Sequence, residues 1–135
     1  MKTLNPYIFF HGRAREALDL YAKALDGTIE TIQTFGEAGM DHEDPSLKDQ
    51  IMHAEFRAGD IVIMAADGIP NANSVKGTNV ELSIQLDDRN EQDRIFATLS
   101  EGGEVKMPLE EMFWGDRFGT LIDKFGIHWQ LNCTK

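Results

Sequence analysis

A strand near the end of the sequence carries polar side chains that could bind a ligand. Three polar residues alternate there with three apolar ones, in the order Ile127, His128, Trp129, Gln130, Leu131 and Asn132. Successive side chains of a β-strand point to opposite faces, so the polar three share one face and the apolar three share the other. Imidazole and amide groups donate or accept hydrogen bonds, and the polar face is therefore predicted to line water or a ligand cavity.

Glu81 is the residue that we expect to carry any reaction. It alternates with Leu82 and other apolar residues in a predicted strand at 80–86. A carboxylate with such neighbours can act as a general base for a proton next to a carbonyl group. The alternative is a carboxylate that is hydrogen-bonded across a cavity or exposed at its mouth, with no catalytic role.

A second polar group lies on a strand predicted at 50–57. His53 and Glu55 share one face and could form an acid/base pair, with Arg57 beside them as a clamp for an anion. On an exposed strand the same three residues are simply a solvated polar face, and both interpretations stay open. Five further side chains could give a ligand apolar surface or belong to the core: Tyr7, Phe9, Met64, Phe113 and Trp114.

Charge and composition exclude several classes of protein. The net charge of −10 argues against binding of nucleic acid or an anionic membrane, because both need a basic surface. Cys133 is the only cysteine, so no internal disulfide can form. No apolar run approaches the roughly 18 residues that span a bilayer, and the start of the sequence has no signal-peptide pattern. We expect a cytoplasmic protein with no membrane partner.

The periodicity predicts the same order of elements twice. Each half reads as a strand, a helix and three strands: first 4–10, a helix from Ala14 to Gly27, 29–35, 50–57 and 60–66, then 80–86, a helix with Ile95, Phe96 and Leu99, 105–109, 117–122 and 127–131. The turn between the last two strands falls at 123–126. This predicts an α+β fold in one domain, 1–135, built from a module at about 1–67, a connection at 68–78 and a module at about 79–135.

The alternation of side chains along each strand then predicts which of them lie on the face of the sheet that no helix covers. The residues predicted to face a shared cavity are Asn5, Tyr7, Phe9, His53, Glu55, Arg57, Val62, Met64, Glu81, Ser83, Gln85, His128, Gln130 and Asn132. A register slip of one residue would reverse the assignment for that strand. Open sheets also leave edges that a second subunit can cover, so we expect a homodimer.

These residues resemble the vicinal oxygen chelate superfamily, also called the glyoxalase/bleomycin-resistance/dioxygenase fold, and within it the PhnB-like branch. The matching segments are Asn5-Pro6-Tyr7-Ile8-Phe9-Phe10, Ala17-Leu18-Asp19-Leu20-Tyr21, Met52-His53-Ala54-Glu55-Phe56, Gly59-Asp60 and FWGDRFGTLIDKFGIHW at 113–129. The resemblance implies two βαβββ modules whose curved mixed sheets surround a cavity. One fold hosts many activities, so it implies much less about chemistry.

The resemblance also indicates where metal-using members hold a divalent ion. The matching positions are Asn5, Met64, Glu81 and Gln130. Only Glu81 is an ordinary ligand for a hard cation, and a thioether does not suit Mg, Mn or Zn. We therefore expect no cofactor, with a divalent metal as the alternative. Some members of the branch are labelled as ubiquinone-precursor methyltransferases, but the sequence lacks the strand, glycine-rich loop and helix that usually cradle a nucleotide-like cofactor.

The sequence thus favours a glyoxalase-like protein that binds a small hydrophobic or aromatic metabolite, and that could be an isomerase or lyase with Glu81 as base. The predicted pocket consists of Asn5, Tyr7, His53, Glu55, Met64, Trp114, His128 and Gln130. The alternative is a metal-free binding protein that sequesters a drug or metabolite, similar to the bleomycin-resistance proteins. A cationic ligand would suit the acidic chain in that case.

Overall fold

The computed structural model describes residues 1–68 and 75–134 and contains two compact units, Met1–Ser74 and Val75–Lys135. Most of the predicted connection, 68–78, lies outside the described residues. Each unit has its own sheet and its own helix, in the order predicted from the sequence. The α+β fold made of two βαβββ modules is thereby confirmed, whereas the shared cavity and the single domain stay predictions.

The first unit contains a four-stranded sheet and one long helix. Its elements are β1 (Tyr7–Phe9), α1 (Ala14–Leu25), β2 (Thr28–Thr34), a 3-10 helix (Pro45–Leu47), β3 (Ile51–Ala58) and β4 (Ile61–Ala66). The strand order is β1-β4-β3-β2, with β1 parallel to β4 and the other pairs antiparallel. β1 is shorter than the predicted strand at 4–10 because Pro6 has no N–H for the ladder; its carbonyl still accepts a hydrogen bond from Met64 N at 3.0 Å.

The second unit repeats this topology. Its elements are β5 (Leu82–Leu86), α2 (Arg89–Ser100), β6 (Glu104–Glu111), β7 (Arg117–Ile122) and β8 (His128–Cys133), in the sheet order β5-β8-β7-β6. β5 and β8 are parallel and the other two pairs are antiparallel. Asp88 caps α2 through hydrogen bonds from the backbone N–H groups of Asn90 and Glu91. β5 begins two residues later than predicted, so Glu81 lies directly before the strand.

The alternation of buried and open side chains follows the prediction for the strand interiors. Ala54 and Phe56 in the first unit are fully buried, as is Leu131 in the second, while Trp129 is 2% exposed. The residues between them on β3 and β8 are partly or fully exposed. One face of each sheet therefore packs on its helix, and the other face, here called the open face, carries the polar side chains.

Among the described residues, no helix is long and apolar enough to cross a membrane.

Candidate functional site

The open face of the second sheet presents polar side chains in rows. Ser83, Gln130 and Thr120 are register partners across β5, β8 and β7, and Gln85, Asn132 and Phe118 form the next row. Side chains that are paired across strands lie about 5 Å apart and point to the same side. The polar row predicted at His128, Gln130 and Asn132 therefore occupies the centre of a polar surface.

Glu81 and His128 occupy the end of this surface. Leu82 pairs with Trp129, so the residues that precede them in their parallel strands, Glu81 and His128, lie side by side. Glu81 Oε1 and His128 Nδ1 are buried side-chain atoms with no hydrogen-bond partner among the described residues. An unpartnered polar atom that is shielded from water costs about 1–3 kcal/mol. A ligand that supplies the missing hydrogen bonds would remove this cost.

Lys106 is a third member of this group, and sequence reasoning missed it. Its Nζ lies 3.8 Å from Glu81 Oε2, with 39% of the lysine side chain and 25% of the glutamate side chain exposed. Lys106 is also the extra residue of a β-bulge, because Val105 pairs with Leu121 and Met107 with the preceding Thr120. Such bulges re-aim a side chain and are enriched beside active sites. No sequence pattern marks a bulge, so the polar strand gave no signal for Lys106.

Asp123 fixes the position of β8, the strand that contains His128. Its Oδ1 accepts hydrogen bonds from Phe125 N at 2.9 Å and Ile127 N at 3.0 Å, and its Oδ2 accepts one from Trp129 Nε1 at 2.9 Å. The carboxylate is 2% exposed. Gly126 completes the turn with a φ of 86°, a conformation that glycine adopts without strain. The predicted hairpin turn at 123–126 is confirmed, and its buried Asp fixes the position at which β8 begins.

The other end of the open face carries amide groups and aromatic rings. Asn132 Nδ2 donates to Gln85 Oε1 at 3.0 Å and to Asp116 Oδ2 at 2.9 Å. Trp114 stands edge-on to Phe113 at a ring separation of 4.9 Å and to Phe118 at 6.3 Å. Trp114 is 51% exposed, so it can stack on a ligand, whereas Phe113 is 98% exposed and contributes little enclosed surface.

The open face of the first sheet has a different character. Tyr7 Oη and His53 Nδ1 form a hydrogen bond of 2.9 Å, and Arg57 Nε lies 3.4 Å from Glu55 Oε2. Met64 pairs in register with both Tyr7 and Glu55, so the predicted residues of β1, β3 and β4 do lie together. Partial burial raises the pKa of Tyr7, which keeps its hydroxyl protonated. Asn5 is half-buried and lies two residues before β1.

The residues at the positions implied for a divalent metal do not fit one. Asn5 and Met64 belong to the first unit, and Glu81 and Gln130 belong to the second. One carboxylate, two amides and a thioether make a poor donor set for Mg, Mn or Zn. Glu81 also faces an ammonium group, which competes with a cation for the same oxygen. Among the described residues, no group of three or more His, Cys, Asp or Glu side chains is placed to hold a metal ion.

Comparisons with known proteins cover nearly the whole chain. A family model described as 3-demethylubiquinone-9 3-methyltransferase matches residues 2–132. Protein YjdN of Escherichia coli is 30% identical over 146 residues, which cover 98% of this chain and 95% of that protein. The crystal structure of PA1353 from Pseudomonas aeruginosa is 36% identical, covers 99% of this chain and 98% of its own, and superposes with a TM-score of 0.87.

A PhnB protein from Bacillus cereus is similar to a comparable degree. It is 27% identical, with coverage of 98% of this chain and 100% of that chain and a TM-score of 0.83. These matches agree with the topology of the two sheets and with the resemblance noted in the sequence. The chain belongs to the family described as 3-demethylubiquinone-9 3-methyltransferase, within the PhnB-like branch of the vicinal oxygen chelate superfamily.

Proposed function

We propose that this protein binds a small hydrophobic or aromatic metabolite on the open face of its second sheet. The observation that carries the proposal is the pair of buried, unpartnered atoms, Glu81 Oε1 and His128 Nδ1. A hydroxyl or carbonyl group of a ligand supplies the bonds that these atoms lack, since a carboxylate only accepts and an imidazole nitrogen can donate. Gln130 lies two residues along the same strand and face, and offers a further donor and acceptor for the ligand's oxygens.

The reaction that suits these groups is an isomerisation that begins with proton abstraction. Glu81 accepts a proton from a carbon next to a carbonyl group, and His128 and Gln130 hold the ligand's oxygens. In the first unit, Asn5, Tyr7, His53, Glu55 and Met64 remain candidate pocket residues. Their contribution is smaller in this proposal, because Tyr7 and His53 already satisfy each other.

The binding step can be tested with a neutral fluorescent aromatic compound, N-phenyl-1-naphthylamine. We expect a saturable rise in its fluorescence, and competition by aromatic ketones and aldehydes that also bind. The chemical step can be tested by proton NMR in D2O, which follows exchange of the protons next to the carbonyl of each competitor. Lack of saturable binding by the wild-type protein would contradict the proposal.

Glu81→Gln separates binding from turnover. The variant keeps the size of the side chain and removes its basicity, so we expect proton exchange to vanish while probe binding stays within about threefold of wild type. Glu91→Gln is the matched control, because Glu91 is an exposed residue in the first turn of α2, and we expect it to leave both measurements unchanged. Full exchange in Glu81→Gln would rule out Glu81 as the base.

A second candidate is a sequestration protein that catalyses no reaction. The exposed, edge-on pair of Phe113 and Trp114 and the net charge of −10 favour a cationic aromatic ligand in that case. Glu81→Gln would then lower only affinity, and no competitor would show proton exchange. The same two measurements therefore decide between the candidates.

We propose that the site works without a resident metal and without methyl transfer. The donor set at the implied metal positions supports the first part. The connections before the two helices support the second part. The connection before α1 contains one glycine and the connection before α2 contains none, so neither is the glycine-rich loop that cradles a nucleotide-like cofactor. Calorimetric titration with Mn, Ni or Zn and with S-adenosylmethionine should show no stoichiometric binding. A stoichiometric ion that is lost in Glu81→Gln would contradict the metal-free proposal.

We also propose that the protein is a cytoplasmic homodimer. β2 and β6 are edge strands of their sheets, and every residue of β6 except Leu109 is exposed. A second subunit can cover such an edge. Analytical ultracentrifugation should give twice the mass of the chain, and a monomer at micromolar concentration would contradict this part.

A further inference from the structure

We propose that Lys106 binds an anionic oxygen of the ligand, and that the substrate is accordingly an enolisable carbonyl compound whose enolate oxygen Lys106 stabilises. This inference rests on the proposed function of Glu81 and adds the group that receives the negative charge. A general base alone leaves the developing oxyanion uncompensated, and a positive group aimed at that oxygen is usually the largest source of rate enhancement.

Lys106 approaches Glu81 from the opposite edge of the sheet. It projects from β6, whereas Glu81 lies directly before β5, and these strands form opposite edges of the sheet. Three strand spacings would separate the edges by about 14 Å in a flat sheet. Lys106 Nζ and Glu81 Oε2 nevertheless lie 3.8 Å apart, because both side chains are long and extend toward each other across the open face. The ammonium group therefore reaches across the strands to the end where Glu81 and His128 lie.

The ammonium group of Lys106 has donors that can serve a ligand. Lys106 Nζ carries three N–H donors, and its distance to Glu81 exceeds that of a direct hydrogen bond. Among the described residues it has no hydrogen-bond partner. An oxygen atom placed between Lys106 and Glu81 would receive a donor from the ammonium without displacing any existing bond.

Arg117 is the other Lys or Arg side chain on the strands of this sheet. Arg117 donates to Gln92 Oε1 and to the carbonyl of Arg89, each at 2.8 Å, and pairs with Asp93 at 2.8 Å. All three partners belong to α2, so Arg117 is committed to the helix-covered face. Lys106 alone brings positive charge to the open face from these strands, in a chain whose net charge is −10.

The chemical step balances without a further reactant. Glu81 takes a proton from the carbon next to the carbonyl, the electron pair of that C–H bond forms the C=C bond, and the carbonyl π pair moves to the oxygen. The enolate oxygen then pairs with the ammonium group of Lys106. For a β,γ-unsaturated carbonyl compound, return of the proton from Glu81 to the γ-carbon of the dienolate re-forms the C=O bond from the oxygen's electron pair, moves the C=C bond into conjugation with it, and regenerates the carboxylate.

Binding of two small aromatic probes, one anionic and one neutral, tests the inference without turnover. The probes are 4-nitrophenolate, which presents an aromatic oxyanion, and 4-nitroaniline, which has a similar shape and no charge. We expect Lys106→Met to weaken 4-nitrophenolate by about 10-fold or more and 4-nitroaniline by less than about 2-fold, measured by calorimetry at a pH at which nitrophenol is ionised. Lys106→Arg should restore most of the loss, and Lys2→Met, a change of an exposed lysine outside the sheets, should have no effect.

The possible outcomes separate this inference from the function on which it rests. Equal losses for both probes, or no loss for either, would overturn the role of Lys106. Binding of 4-nitroaniline by the wild-type protein without binding of 4-nitrophenolate would also overturn it and leave the ligand site intact. Binding of neither probe, together with failure of the neutral fluorescent probe, would refute the proposed function itself. Circular dichroism spectra that match wild type establish that the variants fold.

Discussion

The two modules share one topology but treat the polar groups of their open faces in opposite ways. In the first, Tyr7 and His53 form a hydrogen bond of 2.9 Å. In the second, Glu81 Oε1 and His128 Nδ1 are shielded from water and have no partner among the described residues. Satisfied groups stabilise the fold, whereas unsatisfied buried groups lower its stability. The comparison teaches that a repeated scaffold can pair the polar groups of its open face in one copy and leave buried polar atoms without a partner in the other.

Both modules nevertheless use a buried carboxylate to organise their backbone. Asp67 accepts hydrogen bonds from Gly12 N at 3.0 Å, Ala14 N at 2.8 Å and Ile51 N at 2.7 Å, and is 5% exposed. Asp123 accepts three hydrogen bonds in the second module. The two residues occupy different places in the repeat, since Asp67 follows the last strand of its module and Asp123 precedes the last strand of its own. The scaffolds are thus equally well fixed, and the difference lies in the open faces.

The largest effect should come from breaking these carboxylate clamps. Asp67→Asn and Asp123→Asn each replace an acceptor oxygen by an amide donor that faces backbone N–H groups. We expect each to lower the free energy of unfolding by about 3 kcal/mol, measured by urea denaturation. The exposed Asp60, in the turn between β3 and β4, is the control, and Asp60→Asn should change stability by less than about 0.5 kcal/mol. A large difference between the two clamps would show that the modules are not equally fixed.

The next largest effect is a change in the free energy of unfolding whose sign should differ between the modules. His128→Phe removes a buried nitrogen that has no partner, so we expect it to raise the free energy of unfolding by about 1 kcal/mol while it weakens probe binding. Tyr7→Phe removes a hydroxyl that is hydrogen-bonded, so we expect it to lower the free energy of unfolding by about 0.5 kcal/mol. Urea denaturation measures both. Loss of stability in His128→Phe would mean that its ring nitrogen is satisfied in solution.

A smaller effect should appear in alkaline solution, where burial raises the pKa of one group in each module. Burial raises the pKa of Tyr7 in the first module and that of the Cys133 thiol in the second. A raised pKa stabilises the fold below the group's ordinary value, and this stabilisation is lost as the pH rises through the folded-state value. Stability should therefore fall first above the ordinary thiol pKa of 9.0 and then above the ordinary phenol pKa of 10.0.

Single substitutions assign the two parts of this pH profile. Cys133→Ala should flatten the decline that begins first, and Tyr7→Phe should flatten the later one. The test is the free energy of unfolding measured by urea denaturation at several alkaline pH values. Profiles of the variants that run parallel to wild type would contradict the assignment.

The smallest effect concerns one partly exposed ion pair in each module, Arg57–Glu55 in the first and Lys106–Glu81 in the second. In a double-mutant cycle with Glu55→Gln and Arg57→Gln, the coupling should be about 0.5 kcal/mol or less, because both side chains are partly exposed. The coupling between Lys106 and Glu81 should be equally small in the free protein. The coupling energy between Lys106 and Glu81 should change when 4-nitrophenolate is present, whereas the coupling energy between Glu55 and Arg57 should not. Equal responses of both pairs would remove the distinction between the modules.

The parts of the fold that the sequence predicts are those determined by hydrophobic periodicity and by turn residues. The alternation in β8 and the turn residues Asp123 and Gly126 act locally, so they predict both the hairpin and the face on which His128 lies. The apolar spacing of α1 likewise predicts its start at Ala14, whereas its end at Leu25 comes two residues before the predicted Gly27. The start of β1 was misjudged because the apolar run begins at Leu4, before the point at which Pro6 interrupts the ladder.

The composition of the site was predictable only in part. Glu81 and His128 were identified from strand parity, and the register places them side by side. Lys106 was missed because its position depends on a bulge and on the strand order of the whole sheet, neither of which leaves a pattern in one strand. Asp67 was placed at the end of the first module without a role, since a buried carboxylate that accepts from three distant backbone groups cannot be distinguished in sequence from a loop residue.

The parallel pairing of β5 with β8 also has a consequence for how the chain folds. The hairpin of β7 and β8 joins neighbours in sequence and can form early, whereas β5 and β8 are separated by α2, β6 and β7 and must close a long loop. Glu81 and His128 come together only when this last pairing is made. Ligand-binding competence should therefore be among the final properties to appear during refolding, which makes it a sensitive reporter of complete assembly of the second module.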